Sequence, residues 1–168
     1  AVLQECPGER PSHVPAPPRL RQGIRLRNVA ARPLSGGAPI AAGENYYTRY
    51  EFRDVIAKKA VNILQPDIIH AGGITECMKI AAIASAWNIP IAPHIHATIG
   101  VAASIHYLTA IPNTLMAEYI TSGGSYRLRR AMYGDEYMAE DGYIQASDKP
   151  GLGIEIKEGF FEKYAPKA

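Results

Sequence analysis

Four polar residues recur along the chain at nearly even spacing. Glu44, Asp67, His94 and Glu118 each close a short apolar run: APIAAGE, NILQPD, IPIAPH and TLMAE. The intervals are 23, 27 and 24 residues, the length of one strand, one helix and two loops. Functional groups at the C-terminal ends of parallel strands sit together at one mouth, as in (β/α) barrels. Two carboxylates, an Asp and a His converging there are suited to metal-assisted proton transfer. An Asp accepting from one imidazole nitrogen fixes the tautomer and favours the imidazolium, so the other nitrogen becomes the better base. Asp67 and His94 would form such a pair. Glu44 follows a glycine where a cation has room, yet one carboxylate does not make a magnesium site, because hard divalent cations take several oxygens. Glu118 would hydrogen-bond a substrate carboxylate when protonated, or complete a charge network. Plainer roles stand open for all four: a solvated loop histidine, a capping Asp, surface or ion-pairing glutamates.

Other polar residues carry less. His106 falls in the middle of a helical pattern and is expected to be structural. His96 is two residues beyond His94 and on a strand would face the same way, while His70 has no assigned role. Tyr46 and Tyr47 would wall a polar pocket or simply edge a loop. No GxGxxG, GxxxxGKS or GxSxG is present, so nucleotide binding and serine hydrolysis find no support.

The elements that must position these groups alternate. Ala38–Gly43 reads as a buried strand between glycines, and Arg49–Ile63 as a helix with Phe52, Val55, Ile56, Ala60 and Ile63 on one face. Residues 62–68 turn into a strand. Gly72-Gly73 makes a turn, and Thr75 is expected to cap a helix presenting Ile80, Ile83, Ala84 and Trp87. Asn88 and Pro90 stop it before a strand at Ile89–Pro93. A helix at Thr98–Ile111 turns Val101, Ile105 and Leu108 inward; Pro112-Asn113 breaks it ahead of a strand at Thr114–Tyr119. Four β and three α elements in strict alternation imply a parallel sheet with right-handed crossovers. Beyond Tyr119 a Gly/Ser loop, a partly helical stretch at Tyr126–Tyr137, short irregular strands and a helix at Glu158–Tyr164 form a tail. The sequence does not show what it packs on.

At 168 residues the chain fits one domain, short of the roughly 250 of a whole eight-stranded barrel. A net charge of +2 gives no reason to expect nucleic acid or an anionic membrane as partner, and no apolar run is long enough for a membrane span. The start shows no signal-peptide pattern, and Cys6 and Cys77 have no disulfide or zinc spacing, which points to free thiols in a reducing cytoplasm. The absence of an initiator Met suggests a fragment. Composition breaks near residue 38. Residues 1–37 hold six Arg, no Lys and no aromatic residue; with Glu5 and Glu9 their charge is +4, against −2 for the remainder. Three readings of this Arg/Pro/Gly-rich arm stand open: a disordered basic segment, out-of-frame translation of GC-rich DNA, or a poorly patterned strand and helix.

AAGENYY, LQPDIIHAGGITE, IPIAPHIHATIGVAASIHYL, LMAEY and DGYIQASDKPGLGIEI together resemble the C-terminal barrel domain of the enolase superfamily. The similarity is to its mandelate racemase/muconate-lactonising group, especially the acid-sugar dehydratases, and spans about Pro39 to Tyr164. It implies an α/β fold: a partial TIM-like barrel, about the C-terminal half of an enolase-type (β/α)7β barrel, over residues 38–168. It further implies that Glu44 is the third magnesium ligand, Asp67 and His94 the general-base dyad, and Glu118 the acid that meets the substrate carboxylate or enolate. The implied reaction removes the proton α to a carboxylate of a sugar acid or other small acid, with Mg2+ stabilising the enediolate. Loss of the β-hydroxyl then gives a dehydratase, and return of the proton on the other face a racemase. The family's capping domain, its Lys-x-Lys pair and its first two metal ligands are not matched, and Glu5-Cys6-Pro7 only faintly resembles the fourth-strand ending. Half a barrel exposes strand edges and an inner apolar face, so a homo-oligomer or a complementing chain is expected, and the chain alone is expected to be inactive. A non-catalytic remnant or self-associating interaction protein is the alternative from another class, and an unrelated parallel α/β binding protein is a third.

Overall fold

The computed structural model describes residues 37–95 and 98–164. The expectations for most of the N-terminal arm, and for Cys6 and His96, fall outside them. The elements are β1 (Ala41–Ala42), α1 (Thr48–Ala57), β2 (Ile63–Leu64), α2 (Gly73–Ala86), α3 (Thr98–Ala110), α4 (Gly123–Tyr133) and α5 (Phe160–Tyr164).

The sheet runs in sequence order. β1 pairs in parallel with β2, Ala41 opposite Ile63 and Ala42 opposite Leu64. Parallel bridges continue from Leu64 to Ile91 and from Ile91 to Thr114. The third and fourth expected strands are therefore single bridge positions, held by Leu64 N–H to Pro90 O (3.1 Å), Ala92 N–H to Leu64 O (3.0 Å), Ile91 N–H to Asn113 O (2.8 Å) and Leu115 N–H to Ile91 O (2.8 Å). Prolines at 66, 90, 93 and 112 lack the N–H that would extend each ladder. Sequential parallel neighbours with a helix after each are the order of a barrel wall. Over these residues the protein is an α/β fold with the strand order of a partial (β/α) barrel.

Each helix ends where local chemistry dictates. α1 buries Phe52 and Ile56, one turn apart, and stops at Ala57, six residues before the expected Ile63. The chain there is claimed by the sheet: Asn62 Oδ1 accepts from Ile40 N (2.9 Å), and the amides of Asn62 and Ile63 donate to Ile40 O (2.8 and 3.1 Å). Thr75 is not a cap. α2 opens at Gly73, behind Gly72 at φ +113°. Its buried face is Cys77, Ile80, Ala81 and Ala84, and Trp87, expected inward, is half exposed. The helix closes first, with Asn88 at φ +54°, its amide bonded to Ser85 O (3.0 Å), and Ile89 N–H reaching Ala84 O (2.9 Å). This is a Schellman ending with Asn in the left-handed position.

α3 is buried nearly all round because it lies between two apolar clusters. Ala103, Tyr107 and Leu108 join Phe52, Ile56, Leu64, Ile80 and Ile91 in the first. Val101, Ala102 and Ile105 join Met132, Tyr133, Tyr137, Ile144 and Phe160 in the second. The tail thus packs on the far side of α3, and Tyr133 Oη donates to Thr98 O at 2.7 Å. Asp141 and Gly142, both at positive φ, turn the hairpin that pairs Glu140 with Tyr143.

Candidate functional site

Gly43 brings the end of β1 close to its neighbour. A Cβ there would stand 2.9 Å from Phe52 Cε1 and 3.0 Å from the Gln65 backbone N, and φ is +142°. Only glycine permits this approach, and Glu44 comes next. Its side chain is 57% exposed and sets Oε2 3.5 Å from His94 Nε2. The other face of the imidazole is more tightly held, with His94 Nδ1 2.9 Å from Asp67 Oδ2. Asp67 is 1% exposed and His94 24%. Asp67 Oδ1 is also used, accepting the amides of Ile69 (2.7 Å) and His70 (3.3 Å). A carboxylate only accepts, so in the neutral ring the proton lies on His94 Nδ1 and Nε2 is unprotonated. Glu118 Oε2 accepts from Ile95 N at 3.3 Å, one residue beyond His94.

The four candidate residues are thus placed on successive strand ends. Asp67, His94 and Glu44 are in side-chain contact, and Glu118 is joined through the backbone next to His94. This juxtaposition disfavours the third reading, an unrelated fold in which they would diverge. Two groups at the site had no assigned role in the sequence: the Ile95 amide, which no residue type reveals, and His70. His70 Nδ1 lies 3.3 Å from Glu44 O, and its ring stacks with Tyr47 at 6.2 Å. The signal for it was its place three residues after Asp67 in one loop. Tyr46 instead packs edge-on against Phe52, within the core layer. His106 is structural as expected, its Nε2 2.9 Å from Tyr137 Oη.

Arg49 of α1 grips Glu76 of α2 through both carboxylate oxygens at 2.8 Å. The Arg49 backbone amide, then its guanidinium, hold the Glu76 carboxyl below the usual range. Behind Asp67, Cys77 is a buried free thiol pushed up to about 12 by burial, with the Asp67 and Glu76 charges adding to it. No group of three His, Cys, Asp or Glu able to hold a metal occurs among the described residues. Glu44 offers one carboxylate, and the group facing it is an imidazole. The described residues therefore do not by themselves fit a magnesium ion, which needs further oxygens. A groove of about 720 Å3 lies in the tail between Asp135 and Asp148, and none of the four candidate residues lines it.

The fold agrees with the comparisons. Residues 15–160 match the family model described as enolase C-terminal domain-like, and the chain belongs to that family. It is 36% identical to a D-galactonate dehydratase of Xanthomonas oryzae pv. oryzae, over 97% of this chain and 43% of that protein. It is 37% identical to a D-galactonate dehydratase of Variovorax paradoxus, over 89% of this chain and 40% of that protein. A solved member of the enolase superfamily from Polaromonas sp. JS666 superposes with a TM-score of 0.69 at 47% identity, covering 76% of this chain and 34% of the other. A mandelate racemase/muconate lactonizing enzyme-like protein from Roseovarius sp. TM1035 gives 0.67 at 39%, covering 73% and 30%. The chain spans less than half the length of these relatives. No helix among the described residues is long and apolar enough to cross a membrane.

Proposed function

We propose that this chain supplies the proton-abstracting half of a magnesium-dependent acid-sugar dehydratase or racemase. The observation that carries the reading is the buried Asp67 carboxylate 2.9 Å from His94 Nδ1, with Glu44 and Glu118 on the flanking strand ends. Asp67 orients the imidazole and stabilises its charged form, while His94 Nε2 takes the proton α to the substrate carboxylate. Glu44 faces the same nitrogen and favours the imidazolium that results. Glu118, held by the Ile95 amide, meets the substrate's carboxyl end. Magnesium, when bound by Glu44 together with oxygens from outside the described residues, would supply charge stabilisation for the enediolate. The D-galactonate dehydratase relatives make a sugar acid the first substrate to try.

The test is deuterium exchange α to the carboxylate of D-galactonate in D2O with Mg2+. The chain alone is expected to give none. Supplemented with the portion of a D-galactonate dehydratase that precedes the matched region, it is expected to exchange, and His94→Asn is expected to abolish that exchange. Exchange that survives His94→Asn would sink the assignment. A second reading, a non-catalytic remnant that persists by self-association, draws on the lack of a three-residue metal group among the described residues. A self-associated chain that stays inactive with every complementing half would favour it.

A further inference from the structure

Four contacts close a circuit around the site. His94 Nε2 faces Glu44 Oε2 at 3.5 Å. The Glu44 carbonyl lies 3.3 Å from His70 Nδ1. The His70 backbone amide donates to Asp67 Oδ1 at 3.3 Å, and Asp67 Oδ2 returns to His94 Nδ1 at 2.9 Å. His70 is the one side chain of the circuit that has no part in the proposed chemistry. We propose that His70 is a positioning residue: its Nδ1–H, donated to the Glu44 carbonyl, locks the end of β1 onto the Asp67 loop and so sets the approach of the Glu44 carboxylate to His94 Nε2. This rests on the reading that places Glu44 and His94 in one site.

The chemistry fixes the tautomer. A carbonyl oxygen only accepts, so Nδ1 carries the proton, and in the neutral ring Nε2 does not. Stacking with Tyr47 at an interplanar angle of 20° holds the ring plane, and the Asp67 contact holds the backbone beneath it. Residues 43–46 form a turn with Glu44 and Asn45 at its centre, closed by Tyr46 N–H to Gly43 O at 3.1 Å. Fixing the Glu44 carbonyl therefore fixes that turn and the side chain it carries. The loops themselves do not depend on His70. Thr48 N–H also donates to Ala71 O at 3.1 Å, and the Arg49–Glu76 pair ties α1 to α2. Removing the imidazole should leave the fold intact while loosening the turn.

Two variants separate the hydrogen bond from the stacking. His70→Asn retains a donor near the position of Nδ1 and loses the ring; His70→Phe retains the ring and loses the donor. In the uncomplemented 168-residue chain, ring 15N NMR of the neutral His70 ring is expected to show the proton on Nδ1. Amide exchange at Tyr46 is expected to be roughly tenfold faster in His70→Phe, the scale of one ordinary hydrogen bond, with the His94 Nε2 resonance displaced. His70→Asn is expected to keep both near wild type. A proton on Nε2 of His70, equal effects of the two variants, or no effect of either would overturn the proposal. These readouts need no substrate, so a failure of the deuterium-exchange assay would count against the proposed activity and leave this result standing.

Discussion

Replacing Asp67 tests the site and the fold together. Its two oxygens serve different partners: Oδ1 accepts from Ile69 N (2.7 Å) and His70 N (3.3 Å), and Oδ2 accepts from His94 Nδ1 (2.9 Å). Hydrogen bonds to a charged group are worth about 1.5–3 kcal/mol each, so the two short ones amount to roughly 3–6 kcal/mol before rehydration. Ile69 is exposed and His94 is partly so; water recovers part of the loss, which brings Asp67→Ala to about 2–4 kcal/mol. Asp67→Asn keeps a carbonyl for the Ile69 amide and loses the charge on the His94 side, and is expected to cost about 1–2 kcal/mol. Urea unfolding of the full 168-residue chain reads the difference. With a typical slope the two midpoints should differ by roughly half a molar or more, Asp67→Ala lying lower. Equal midpoints, or both variants indistinguishable from wild type, would refute the division of labour between the two oxygens.

Further outcomes follow from single features. Gly43→Ala would push a methyl against Phe52 and the Gln65 backbone; a loss of about 1–3 kcal/mol is expected, read as a lower Tm with displaced Glu44 and His94 resonances. Ile80, fully buried in the first cluster, should cost about 2–5 kcal/mol as Ala, measured by the same unfolding curves. Cys77 is pushed up to about 12 from 9.0, so the folded protein keeps its thiol proton while the unfolded chain loses it. Stability is therefore fully present below about pH 9 and falls between there and about 12, and Cys77→Ala should flatten that alkaline slope. The same thiol should resist a maleimide near neutral pH until the protein unfolds. Glu76 is held below its ordinary value by Arg49. Its contribution is present above that value and is lost as pH falls through the lowered one, so Arg49→Met should weaken the acid dependence of the α1–α2 contact, followed by amide exchange.

The fold class and the order of its strands were legible in the sequence, and so was the gathering of the four candidate residues at the strand ends. Polar residues after apolar runs at regular intervals marked the strand ends, because in a parallel α/β wall the chemistry gathers where strands stop. Periodicity located α1, α2 and α3, but it overran α1 by six residues, since Ala60 and Ile63 continue the helical spacing while Asn62 hands the chain to the sheet. Thr75 had the chemistry of a cap and was outbid by Gly72, whose left-handed conformation no side-chain pattern announces. The tail's support was invisible because α3 is apolar on both sides, and a one-dimensional pattern does not say that a helix has two faces to bury. The Glu44–His70 tie and the Ile95 amide were likewise out of reach, because both depend on backbone atoms, which every residue has.

The most direct measurement is the tautomer of His94, read from ring 15N shifts in the wild type and in Asp67→Asn. With the carboxylate in place, the neutral ring should carry its proton on Nδ1 and leave Nε2 as the base. In Asp67→Asn the amide NH2 can donate to Nδ1, and the proton should move to Nε2. A wild-type His94 protonated on Nε2, or an unchanged tautomer in Asp67→Asn, would contradict the dyad and the proton abstraction proposed from it.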